Sequence, residues 1–119
     1  MTGKITMPTK TEEFTPTVTK TSGNSSLKSI SGSRSGNVVT ISVTFTNGAQ
    51  TAAGSNSFDG TISNVPLPVD TANGVGFYSA TFFCITITST GTFRSRVIVS
   101  SGYWAASDSH TLAITYVCK

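Results

Sequence analysis

Ser79-Ala80-Thr81-Phe82-Phe83-Cys84-Ile85-Thr86-Ile87-Thr88-Ser89-Thr90-Gly91-Thr92-Phe93-Arg94-Ser95-Arg96-Val97-Ile98-Val99 is the stretch whose reading decides the fold. Phe83, Ile85 and Ile87 recur at period two, with Thr86 and Thr88 between and beyond them. Such alternation of aromatic and β-branched residues is the pattern of a half-buried strand. Ser89–Thr92 breaks it, and Gly91 supplies the residue able to take positive φ in a tight reversal. Phe93, Ser95, Val97 and Val99 then resume the alternation against Arg94, Arg96 and Ile98. The stretch reads as a β-hairpin with one apolar face. A hairpin alone does not bury such a face, so further strands must cover it.

Outward from the hairpin, the cleanest alternation follows Gly36-Asn37: Val39, Ile41, Val43 and Phe45 inward, with Thr40, Ser42, Thr44 and Thr46 outward. Burying four such side chains contributes roughly 1.5–3 kcal/mol each before entropy is charged. Asn47-Gly48 ends this strand with a common turn pair. Phe58 to Val65 reads as a strand stopped by Pro66-Leu67-Pro68, because proline fixes φ and lacks the ladder donor. His110 to Val117 closes the chain as a strand, with Leu112, Ile114 and Tyr116 on one face. Phe14–Thr19 is expected as a short edge strand containing Pro16, and a brief strand is expected around Leu27–Ser31. The stretches Thr51–Ser57, Asp70–Gly76 and Ser101–Asp108 read as loops. About seven short strands with turn chemistry between them predict an all-β antiparallel sandwich or jelly-roll-like barrel. Residues 1–13 lack any sustained period and read as an N-terminal arm, leaving 14–119 as the sandwich.

The 119 residues suffice for one domain with a modest core. Charged residues make up only 11% of the chain, so 21 threonines and 18 serines must coat the outward strand faces. The eight basic residues are dispersed rather than gathered with aromatics, which argues against nucleic acid as a partner. No apolar run reaches the length of a membrane-spanning helix, and no membrane insertion is expected. The opening MTGKITMPTKTEEF lacks the apolar core of a signal peptide. Cys84 shares its strand face with Phe82 and Thr86, while Cys118 shares that of Leu112, Ile114 and Tyr116. Their opposite parity relative to the core predicts two free thiols and no intrachain bridge.

Catalytic chemistry finds little purchase. Glu12, Glu13, Asp59, Asp70 and Asp108 are scattered, His110 is the single histidine, and no G-x-S-x-G elbow surrounds any serine. One imidazole and one carboxylate at Asp108-Ser109-His110 fall short of a closed zinc site. Gly74-Val75-Gly76 is no nucleotide loop without a helix behind it. No catalytic residue, metal or cofactor is therefore expected. The pair Tyr103-Trp104 points its side chains opposite ways on an extended segment. An outward Trp104 beside Asp108 or His110 makes a sugar platform, an apolar ring face with polar groups for hydroxyls; an inward one is a core or interface residue.

Four motifs, in order, resemble the head domains of phage tail-fibre and baseplate receptor-binding proteins. Ser35-Gly36-Asn37-Val38-Val39-Thr40-Ile41-Ser42-Val43 looks like that family's opening strand, and Ile62-Ser63-Asn64-Val65-Pro66 like its strand ending in an aliphatic-proline pair. Ile85–Phe93 is similar to its penultimate hairpin, and Ala113-Ile114-Thr115-Tyr116 to its closing strand. The resemblance covers Leu27 to Lys119. It implies a homotrimeric β-sandwich head in the virion, assembled in the host cytoplasm and binding host surface saccharide. The N-terminal arm would lead to a shaft and to other tail or baseplate proteins. Trp104 would then stack on the sugar, with Tyr103, Asp108 and His110 meeting its hydroxyls, and Phe82, Cys84 and Ile98 would lie in the trimer contact. A bacterial adhesin-type β-sandwich spacer is the alternative from another class, and a small hydrolase built around Asp108 and His110 is a third.

Overall fold

The computed structural model describes residues 11–48, 56–78, 81–99 and 109–119. Its elements are β1 (Thr11–Phe14), β2 (Thr17–Ser22), β3 (Ser26–Ser35), β4 (Val38–Thr46), β5 (Ser57–Ser63), β6 (Ala72–Tyr78), β7 (Thr81–Ile87), β8 (Thr92–Val99) and β9 (Ser109–Val117). They form two antiparallel sheets, β1-β3-β4-β9 (sheet A) and β2-β5-β8-β7-β6 (sheet B). The central hairpin is β7–β8, closed at Gly91 with φ +94° as the turn requires. The sandwich core lies between the inward faces: Val39, Ile41, Val43 and Phe45 from β4 meet Phe83, Ile85 and Ile87 from β7, all 4% exposed or less. Phe93 and Val97 of β8 and Leu112, Ile114 and Tyr116 of β9 complete it. Period-two patterning therefore located the core faces of β4, β7, β8 and β9.

Several boundaries differ from the sequence reading, for reasons that pairing explains. Thr11–Glu13, assigned above to the arm, pair with Ser35–Ser33 of β3 and belong to the sandwich. The expected edge strand Phe14–Thr19 is broken at Thr15-Pro16, where the chain passes from the edge of sheet A to the edge of sheet B. Pro16, which has no donor to lose, is buried at that crossing. β3 runs for ten residues rather than five, because β4 offers it a partner at every position from Thr46 to Val38. β1 stops opposite Gly32, so Ser26–Ser31 form an edge, blunted by a register shift at Leu27/Ser29 beside exposed Lys28. Asn73–Gly76, read as loop, is strand β6 paired with β7. Its glycines lowered the strand signal, yet the Phe83 ring fills the place that a Cβ on Gly76 would take. Both cysteines are free, Cys118 on the core face and Cys84 outward on sheet B, as their parity required.

Strand direction gives the sandwich two distinct ends. Thr11 lies opposite Ser35 and Val117 opposite Val38, so both outer strands of sheet A reach the end that holds the Gly36-Asn37 turn. There the main chain makes the closure: Cys118 N–H donates to the Asn37 carbonyl at 2.8 Å, Val69 N–H to that of Val117 at 3.0 Å, and Lys119 N–H to that of Leu67 at 3.0 Å. Tyr116 adds its hydroxyl to the Pro66 carbonyl at 2.6 Å. The opposite end gathers Gly23–Ser25, the end of β4 with the start of β5, the end of β6 with the start of β7, and the strand ends Val99 and Ser109.

Candidate functional site

Of the four residues expected to meet a saccharide, Tyr103, Trp104 and Asp108 lie outside the described residues. His110 is a correction. It is 4% exposed, pairs with Phe45 across β4 and β9, and stacks on that ring at 5.5 Å and 28°, with Phe83 at 5.0 Å. Burial lowers its pKa to about 4, so it stays neutral near neutral pH and serves as a core aromatic. The signal was available: His110 shares the parity of Leu112, Ile114 and Tyr116, and that face is the core.

At the end away from Thr11 and Val117 sits a network that sequence reasoning passed over as turn polarity. Asn56, 0% exposed, accepts from Gly48 N–H at 2.9 Å and from the Ser25 hydroxyl at 3.0 Å through Oδ1. Its carbonyl accepts from Val97 N–H at 3.0 Å. Asn24 Oδ1 accepts from Ser57 N–H at 2.8 Å, and Ser25 N–H donates to the Ser57 carbonyl at 2.9 Å. One side-chain amide thus joins the β2–β3 turn to the end of β4, while its backbone holds β8. The Oδ1 of this buried amide is doubly satisfied, while its Nδ2 has no hydrogen-bond partner among the described residues. These bonds tie the β2–β3 turn, the end of β4, the start of β5 and β8 to one another.

The outer faces differ in chemistry. That of sheet A is a hydroxyl surface, with Thr40 and Thr115 sharing a hydrogen bond at 3.0 Å and Thr44 and Thr111 one at 2.8 Å. An open depression of about 440 Å³ lies where β1 leaves β3, lined by Glu13, Thr15, Ser31, Ser33, Thr40 and Ser42 among others. The outer face of sheet B carries ionic and apolar groups side by side. Its ionic groups meet at Asp59: Arg94 Nε and Arg96 Nη2 reach Asp59 Oδ1 at 3.1 and 2.9 Å. Partial burial pulls the Asp59 pKa up, but the Arg96 hydrogen bond and charge, then Arg94 and Ser22, outweigh it and hold the carboxyl below its usual value. Beside that cluster it turns apolar: half-buried Cys84 stands opposite Arg96, Val75, 51% exposed, stands opposite Cys84, and half-buried Phe82 lies further toward the Val99 end. Among the described residues no three His, Cys, Asp or Glu side chains gather as metal ligands, and no helix is long and apolar enough to cross a membrane.

No protein-family model, curated protein or solved structure matches this chain.

Proposed function

We propose that this chain is the head of a phage tail-fibre or baseplate receptor-binding protein, a non-catalytic module that holds host surface saccharide within the virion's tail. The observation that carries the reading is the placement of Thr11 and Val117 at one end of the sandwich. A module tethered from that end presents its opposite end, braced by Asn24 and Asn56, away from the tether. A serial spacer, the alternative reading, is better served by a chain that enters at one end and leaves at the other. The single histidine is committed to packing, which removes the side chain most often used as a general base near neutral pH. Trimerisation, part of the same reading, has its candidate contact in the apolar strip of Phe82, Cys84 and Val75, since exposed apolar patches mark association surfaces. Tyr103, Trp104 and Asp108 supply the sugar contacts in this proposal, without His110.

The test is binding of the fluorescently labelled chain to candidate bacterial hosts before and after periodate, which cleaves vicinal diols. Binding that periodate abolishes, and that Trp104→Ala removes while the melting temperature is kept, is the expected result. Binding to no cell type, or binding that periodate leaves intact, overturns the saccharide head. Light scattering reads the oligomer, and a monomer at micromolar concentration returns the spacer to first place.

A further inference from the structure

Across the outer face of sheet B runs a row of polar side chains drawn from all five strands. Ser22 of β2 lies opposite Asp59 of β5, Asp59 opposite Arg94 of β8, Arg94 opposite Thr86 of β7, and Thr86 opposite Asn73 of β6. The row is bonded at intervals: Ser22 hydroxyl to Asp59 at 3.3 Å, Arg94 to Asp59 at 3.1 Å, and Thr86 hydroxyl to Asn73 Oδ1 at 2.8 Å. From Asp59 to Asn73 it crosses three strand spacings, about 14 Å at about 4.8 Å each. Arg96, one step along β8, leans back into the row through Asp59 and is further held by the Ser95 carbonyl at 2.8 Å.

We propose that this row is a binding site for a carboxylate-bearing oligosaccharide, with the sugar's carboxylate on Arg94 and Arg96 and its hydroxyls along Thr86 and Asn73. Charge carries the first part of the argument. One Asp59 carboxylate faces two guanidinium groups, leaving one positive charge uncompensated, which matches one carboxylate of the ligand. Arg94 meets Asp59 through Nε while its side chain stays 59% exposed, so the guanidinium is oriented yet accessible. Holding both arginines on one acceptor lowers the entropy lost when a second anion arrives, and guanidinium pairs planar carboxylates in a two-bond fork. Geometry carries the second part. Thr86 and Asn73 are already oriented by their mutual bond, and a hydroxyl beside an amide suits ligand hydroxyls that both donate and accept. The length favours an oligosaccharide over a single sugar. The site lies on the side of the sandwich and stands whether or not the opposite end is a receptor-binding tip.

The experiment is a titration of the 15N-labelled chain, followed by amide chemical shifts, with trigalacturonate as probe. Its neutral methyl ester and glycerol 3-phosphate are run alongside. Expected is a Kd on the order of 1 mM for trigalacturonate, with shifts centred on Asn73, Thr86, Arg94 and Arg96, and weakening with added salt. The ester should bind at least tenfold more weakly. Arg94→Gln should lose tenfold or more and Thr86→Val several-fold, while Arg34→Gln on the other sheet changes nothing. Equal binding of the ester, shifts centred elsewhere, unchanged affinity in Arg94→Gln, or tighter binding of the phosphate probe than of trigalacturonate overturns the assignment.

Discussion

The two ends of this sandwich are closed by different chemistry. At the end holding Asn37, Pro68 and Cys118, main-chain groups bond to main-chain groups, and an isolated bridge pairs Pro68 with Cys118. At the end holding Asn24, Ser25 and Asn56, side-chain amides and a hydroxyl make much of the closure, over a packed aromatic cluster. A main-chain closure survives side-chain replacement, because every non-proline residue brings the same donor and acceptor. A side-chain closure depends on particular residues. Main-chain bonds predominate at one end, beside the Tyr116 hydroxyl on Pro66, and side-chain acceptors weigh more at the other, which is the end away from Thr11 and Val117.

The largest break in that comparison should come from Phe45→Ala. Phe45 is fully buried, with Phe58 at 5.2 Å, His110 at 5.5 Å and Phe93 at 6.0 Å between ring centres. Its truncation is expected to cost about 3–5 kcal/mol in denaturant unfolding, through lost transfer energy and the cavity left behind. Val39→Ala, at the other end of the same strand, removes less volume and should cost less. Equal losses would mean that the aromatic cluster has no special weight.

Acid should act next, and at the same end. The folded His110 pKa of about 4 lies below its ordinary 6.5. The unfolded chain then binds the proton first, so stability is full above pH 6.5 and falls as the pH drops toward 4. The loss is of the order of 3 kcal/mol below that, at 1.36 kcal/mol per pKa unit. His110→Phe should flatten this part of the stability profile, whereas a carboxylate-driven loss would persist in the variant.

A smaller effect sharpens the contrast between side-chain and main-chain closure. Asn56→Ala leaves Gly48 N–H and the Ser25 hydroxyl without their acceptor in a buried site and should cost about 1–3 kcal/mol. Tyr116→Phe removes one hydrogen bond from the opposite end and should cost about 0.5–1.5 kcal/mol. Asn37→Ala keeps the carbonyl that Cys118 uses and should stay within about 0.5 kcal/mol of wild type. An Asn37 loss matching that of Asn56 would erase the distinction between the ends.

Period-two patterning, together with the turn glycine Gly91, determined the all-β class, the central β7–β8 hairpin and the inward face of β4, β7 and β9. Parity also separated the two cysteines, because the strand period is two and a thiol's side of the sheet follows from counting. What the pattern could not carry was pairing. β6 is a strand because β7 supplies the ladder and Phe83 covers Gly76, and neither fact is local to Asn73–Gly76. β3 extends to ten residues because β4 is there to bond it, and Thr11–Glu13 join the sheet because β3 offers an edge. Tertiary structure showed for His110 the core place that its parity with Leu112, Ile114 and Tyr116 already signalled. It also set Ser22, Asp59, Arg94, Thr86 and Asn73, spread over 72 positions of chain numbering (Ser22 to Arg94), in one line across five strands. Period reports which side of a strand a residue takes; only register reports which residues stand next to one another, and register is set by contacts distant in sequence.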